Sequence, residues 1–398
     1  MNDKIDFDTI VDRRGTFCTQ WDYVADRFGE ADLLPFTVSD TDFAVPKEII
    51  ATLQQRITHP VFGYTRWNHA DFKESIQKWY LKRFDYQVDS EWIVYSPSVI
   101  YSIAKLIELK SQIGDHVVIQ TPAYDAFFKM VEAENRTLIE TNLLYQNNHY
   151  SIDFNDLGAK LKHPNCKIFL LCSPHNPTGR VWTAAELQQI IQLCEQYDVF
   201  LISDEIHMDI LREGQQHLPI FSATSDSKNI ALCTSASKTF NTPGLIASYL
   251  MIPDSALREQ FLLTLKNRDG LSSTSIFGML STITAYNECG YWLDQLNDYL
   301  EKNVQRVENF IAEYVPEMMV VPAQATYLLW IDCSNLPFSM EEIQDVLIHH
   351  GKVAIMAGET YGTTGKNFLR LNIGCSKNKL IDGLSRLRDS ILFLKNNS

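Results

Sequence analysis

The chain has 398 residues, of which 45% are hydrophobic and 21% charged, and its formal net charge is −14. That length accommodates two domains, or one large α/β unit with an appendage, and the composition is that of a globular protein with a sizeable core. So acidic a chain has no general attraction to nucleic acid or anionic membranes, and no apolar run reaches the ~18–20 residues of a membrane helix.

In chain order, the N-terminus Met1–Asp8 lacks the apolar core and small-residue cleavage site of a signal peptide. The stretch up to residue 45 looks irregular. Near-continuous apolar runs follow at Trp92–Tyr95, Val117–Gln120, Lys167–Cys172, Val199–Ser203, Ile230–Thr234 and Ser248–Ile252. They predict strands buried on both faces of a mainly parallel sheet. Between two of them, Thr183-Ala184-Ala185-Glu186 predicts a capping box, and Leu187, Ile190, Ile191 and Cys194 share one helical face. Strand, helix and strand make a right-handed βαβ unit. Beyond residue 285 the order becomes mixed: helix Tyr291–Tyr314, strand Ala325–Cys333, helix Glu341–His350, strands Lys352–Met356 and Asn367–Ile373, and a last helix Asn378–Phe393. The expected architecture is a large α/β domain over 46–285 and a smaller α+β domain made of 1–45 and 286–398. The eight cysteines form no CxxC pair. They read as reduced, mostly buried thiols of a cytoplasmic enzyme, not as metal ligands or a disulfide framework.

Three polar residues at strand ends carry the chemistry. Asn176 lies in Ser173-Pro174-His175-Asn176-Pro177, Asp204 in Ser203-Asp204-Glu205, and Lys238 in Ser235-Ala236-Ser237-Lys238-Thr239. Ligands of open α/β sheets collect outside the carboxyl ends of the strands. A desolvated lysine forms imines and acts as a base. A carboxylate keeps a pyridine nitrogen protonated, and an amide can donate to a ring oxygen. The set predicts pyridoxal 5'-phosphate, which labilises bonds at an amino acid's α-carbon. Ser235, Ser237 and the turn Ser98-Val99-Ile100, which opens helix Tyr101–Lys110, offer donors to the phosphate. Tyr124 offers a ring to stack on the cofactor. Arg370 sits inside an apolar strand, where its fork suits a substrate carboxylate.

With these residues the chain resembles fold-type I pyridoxal-phosphate enzymes, the aspartate aminotransferase superfamily. Within it the chain is similar to the MalY/PatB group of cystathionine β-lyases, or C–S lyases. The resemblance runs through Asp12–Thr16 with Trp21-Asp22, Ser39–Pro46, Phe62–Thr65, Ser173–Thr183, Ser203–His207, Ser235–Lys238, Tyr361-Gly362 and Phe368–Asn372. His207, three residues after the aspartate, marks the lyase-like group, whereas many aminotransferases carry tyrosine there. The chain departs from the group's usual pattern at Gln20, Ser39–Asp42, Ser98 and Ser376-Lys377.

The resemblance implies an aspartate-aminotransferase-like fold with a mainly parallel seven-stranded sheet, and His207 as a further cofactor contact. It implies a homodimer with shared active sites, in which Tyr64 reaches the neighbouring subunit's cofactor phosphate. The implied reaction is α,β-elimination of L-cystathionine or a related cysteine S-conjugate to pyruvate, ammonia and a thiol. The alternative is an aminotransferase using the same residues.

Overall fold

Seven strands form the larger sheet, in the spatial order Ile93–Ser96, Ser248–Met251, Ile230–Thr234, Phe200–Asp204, Cys166–Cys172, His116–Thr121 and Thr137–Asn142. The computed structural model describes residues 4–397; residues 1–3 and 398, which the sequence assigns to the smaller domain, lie outside the described residues. Neighbouring strands run parallel throughout, except Ser248–Met251, which is antiparallel to both of its neighbours. The four central strands from Cys166–Cys172 to Ser248–Met251 are buried along nearly their whole length, as their near-continuous apolar composition predicts. Thr137–Asn142 is different. It is an edge strand, mostly accessible and rich in polar residues, so its sequence carries no apolar run.

The predicted βαβ unit is present. Helix Ala184–Gln196 joins Cys166–Cys172 to Phe200–Asp204 and buries Leu187, Ile190, Ile191 and Cys194. Its capping box is complete: Thr183 Oγ1 accepts from the Glu186 N–H, and Glu186 Oε2 accepts from the Thr183 N–H. Two orphan donors of the first turn are thereby satisfied.

A second, five-stranded sheet has the order Leu34–Phe36, Val353–Ala357, Phe368–Asn372, Leu328–Asp332 and Met319–Val320. The N-terminal stretch thus contributes a strand, paired parallel to Val353–Ala357. Helices Gly290–Tyr314, Met340–His349 and Lys377–Asn397 accompany this sheet. The predicted strand Ala325–Cys333 begins only at Leu328, because Thr326 takes a left-handed backbone (φ 70°). All eight cysteines are buried and unpaired. Among the described residues no helix is long and apolar enough to cross a membrane.

Candidate active site

The strand ends of the larger sheet open onto a cavity of about 430 Å³. Ser98, Val99, Ile100, Tyr124, Asn176, Asp204, His207, Ser235, Ser237 and Lys238 all line it. Separate loops bring these side chains together because parallel strands place all their carboxyl ends on one edge.

Lys238 stands four residues beyond strand Ile230–Thr234, in a turn whose hydroxyls are anchored. Ser235 Oγ accepts from the Ser237 N–H at 3.0 Å and donates to Ala247 O at 2.7 Å. Thr239 Oγ1 donates to the buried Asp209 carboxylate at 2.7 Å. Between these anchors, Lys238 Nζ donates to the backbone oxygen of Ser39 at 2.5 Å. Burial lowers its pKa to about 8; Arg370 adds to the fall, while Asp40 and Asp204 oppose it.

Asp204 is the last residue of its strand. Its Oδ1 accepts from the Ile206 N–H at 3.1 Å, and its other oxygen has no partner among the described residues. Burial raises this carboxyl to about 7, against the Ile206 bond and the Lys238 charge. His207, one turn on, is buried and held neutral, with its pKa lowered to about 3 by burial and then by Lys238 and Arg370. Its Nδ1 has no hydrogen-bond partner among the described residues.

Asn176 lines the cavity, and Arg370, which is not among the lining residues, bonds to it. The turn carrying Asn176 is pinned by Gly179, whose φ is +71° and whose absent Cβ would lie 3.2 Å from Ala323 and Ala325 O. The Gly179 oxygen accepts from the N–H groups of Gln324 and Ala325. Arg370 projects from Phe368–Asn372 and is buried. Its Nη1 donates to Asn176 Oδ1 at 3.2 Å, its Nη2 to Thr37 O at 2.6 Å, and its plane lies 4.6 Å from the Tyr361 ring centre. Arg370 makes no ion pair among the described residues, and its Nε is unpartnered. An internal ion pair therefore does not account for this arginine.

At the far end, Ser98 caps helix Val99–Lys110 by accepting from the Tyr101 N–H at 3.1 Å. The helix leaves the Val99 and Ile100 N–H groups free. Ser237 keeps its hydroxyl uncommitted, whereas Ser235 has spent its single O–H on Ala247.

The donor set fits pyridoxal 5'-phosphate. It offers a helix N-terminus for a phosphate, and a buried carboxyl with a spare oxygen for a ring nitrogen. It also offers an amide and an unpartnered neutral imidazole for a ring oxygen, beside a lysine of lowered basicity.

Tyr64 is the exception among the expected site residues. It is 99% exposed and lies with Phe62, Thr65 and Ser273 in a separate surface depression. The fold of one chain does not bring it to the cavity. Sequence reasoning in turn missed Ser39 and Ile246, which both line the cavity. Ser39 was visible only as part of a motif. Ile246 holds a left-handed backbone (φ 52°) that a β-branched residue rarely adopts, and nothing in its neighbourhood announces this.

Relatives share nearly the whole chain. It is 46% identical to Protein MalY of Escherichia coli K12, covering 97% of this chain and 98% of that one. It is 37% identical to the cystathionine β-lyase PatB of Bacillus subtilis, covering 97% and 100%. The crystal structure of cystalysin from Treponema denticola, which contains pyridoxal 5'-phosphate, superimposes with a TM-score of 0.93 at 31% identity over 98% and 99% of the two chains. The family model for aminotransferase class I and II matches residues 31–387, and the chain belongs to that family.

Proposed function

We propose that the protein is a pyridoxal-phosphate-dependent carbon–sulfur β-lyase acting on L-cystathionine or a related cysteine S-conjugate. The observation that carries this is the convergence on one cavity of Lys238, Asp204 and Asn176, with Arg370 beside them lacking a carboxylate partner. The lyase name of the Bacillus subtilis relative supports the reaction type.

When bound, pyridoxal 5'-phosphate supplies an electron-accepting ring conjugated to the substrate's α-carbon. The Val99 and Ile100 N–H groups and the Ser98 and Ser237 hydroxyls would hold its phosphate. Tyr124 would cover one ring face, Asn176 and His207 would meet the ring oxygen, and Asp204 would keep a proton on the ring nitrogen. Arg370 grips the α-carboxylate with its fork, and its buried setting strengthens that contact. Lys238, with a pKa near 8, is a base at mildly alkaline pH and takes the α-proton at Nζ. The Cβ–S bond breaks, the sulfur leaves with its electron pair, and the Nζ proton neutralises it. The three-carbon enamine that remains hydrolyses to pyruvate and ammonia.

A second copy of this chain covers the exposed loop that holds Val61, Phe62 and Tyr64, and Tyr64 completes the neighbour's phosphate end. The exposure of these residues, 99% for Tyr64 and more than half for Val61 and Phe62, supports that reading. Eight buried, unpaired thiols support a reducing compartment, the cytoplasm.

Incubation with L-cystathionine, with and without a 2-oxo acid, tests the reaction. Pyruvate and homocysteine released without any oxo acid are the expected products. Transfer of the amino group to the oxo acid with no pyruvate would make the protein an aminotransferase instead.

A further inference from the structure

The segment Thr37–Phe43, of which Ser39 lines the cavity, has almost every carbonyl received by a side chain. Arg370 donates to Thr37 O, and Asn372 to both Val38 O (2.6 Å) and Asp40 O (2.7 Å). Lys238 and Tyr327 both donate to Ser39 O, at 2.5 and 2.9 Å. Asn241 donates to Thr41 O and Phe43 O and accepts from the Thr41 N–H. Lys238 and Arg370, central to the proposed function, thus rest on one short strap.

The strap is gripped from outside by the N-terminal segment. Arg13 Nη2 donates to Asp40 Oδ2 at 2.7 Å and Nη1 to Asp40 Oδ1 at 3.2 Å, a two-pronged contact. Nη1 also donates to Thr41 O and Asp42 Oδ1, both at 3.0 Å. Asp42 is fixed in turn by the Trp21 indole N–H at 3.0 Å and by Lys379 Nζ at 2.5 Å. A continuous chain of contacts therefore runs from Arg13 through Asp40 and the Ser39 carbonyl to the Lys238 amine.

We propose that Arg13 is a positioning residue for Lys238: by clamping Asp40 it holds the Ser39 carbonyl against the amine and offsets the Asp40 charge beside it. Arg13 and Trp21 belong to the N-terminal motif to which no role has so far been given, and both lie outside the cavity lining. The charged and titratable groups facing Lys238 come from several elements. Asp40 lies on the strap, Asp204 and His207 at the end of Phe200–Asp204, Arg370 on Phe368–Asn372, and Tyr327 just before Leu328–Asp332. Of the carboxylates acting on Lys238, Asp40 outweighs Asp204, so whatever neutralises Asp40 governs how readily the amine gives up its proton. Removing the guanidinium leaves Asp40 free to favour the ammonium form, and the apparent pKa of Lys238 rises. Removing the Asp40 charge lowers it.

The inference rests on Lys238 being the acting amine, and its test is made without cofactor or substrate so that it stands apart from the lyase reading. The reactivity of Lys238 toward an acylating reagent is followed against pH in cofactor-free protein by peptide mass spectrometry. In Arg13→Met the titration midpoint moves up by on the order of one unit. In Asp40→Asn it moves down by a similar amount, and the double variant matches Asp40→Asn alone. Arg13→Lys, which keeps the charge but loses the fork, falls between Arg13→Met and the parent. In the loaded enzyme the alkaline shift of Arg13→Met reappears in the pH profile of kcat, which reports groups that ionise with substrate bound. An Asp40→Asn protein with a parental melting temperature and an unmoved Lys238 midpoint overturns the proposal, and it does so even if Arg13→Met fails to fold. Loss of cystathionine cleavage with the predicted midpoints intact would sink the lyase reading and leave this one standing.

Discussion

Asp204 and Glu205 are adjacent in sequence and opposite in situation. Strand geometry sends neighbouring side chains to opposite faces, so Asp204 turns to the cavity while Glu205 shares the far side with Ser203. Glu205 is fully buried and fully used. Its Oε2 meets His217 Nε2 at 2.8 Å, and its Oε1 accepts from Ser203 Oγ and the Ile220 N–H, each at 2.9 Å. Asp204 is nearly as buried but holds one backbone bond, and its carboxyl is pushed up to about 7. A buried carboxyl with three partners secures the fold; one with spare acceptor capacity is kept for something that arrives later.

Removing each acid in turn separates the two roles. Asp204→Ala should lower kcat/KM for cystathionine by about 10³-fold while leaving the melting temperature of the cofactor-free protein at or above that of the parent. Activity within tenfold of the parent would mean that the spare oxygen serves nothing. Glu205→Ala should do the reverse. It strands His217, Ser203 and the Ile220 N–H without partners, a loss of about 3–5 kcal/mol that urea unfolding measures as a lower midpoint. Its remaining folded fraction should keep kcat/KM within a few-fold. If that fraction were instead as inactive as Asp204→Ala, the division between the two faces of this strand would be wrong.

The same contrast explains what could be read in the sequence. Buried parallel strands announce themselves because both faces are apolar, so the centre of the larger sheet and the capping box at Thr183 are legible. Asn176, Asp204 and Lys238 are legible too, because an amide, a carboxylate and a lysine follow three successive apolar runs in the order a cofactor at the strand ends needs; Asp204 closes its strand, and the other two stand four residues beyond theirs. The edge strand Thr137–Asn142 is not, because half-exposed strands carry polar side chains indistinguishable from loops. Nor is the Glu205–His217 contact, which joins residues twelve apart through a turn, or the commitment of the Ser235 hydroxyl to Ala247. The part played by Asp40 depends on Arg13, 27 residues away. Local patterning reports burial; it does not report which buried polar atoms find one another.

The smallest expected effect tests the cost of keeping Asp204 unsatisfied. Its folded pKa, about 7, lies above the 3.8 of an unperturbed aspartate. Well below pH 3.8 the carboxyl is protonated in both states and contributes nothing. As pH rises to 7 the unfolded chain ionises first, so stability is progressively lost, and above 7 the whole penalty is present. Three pKa units correspond to about 4 kcal/mol, an upper bound. Lys238 carries a burial penalty of its own that the Asp204 charge partly relieves, so replacing the acid returns only part of the total. Asp204→Asn in cofactor-free protein should therefore be more stable than the parent by about 1–2 kcal/mol at pH 8, with the gain shrinking at pH 5.5. Urea titrations at the two pH values read this difference directly. A gain that stays constant between them would come from packing or hydrogen bonding, because only an ionisation penalty follows the proton.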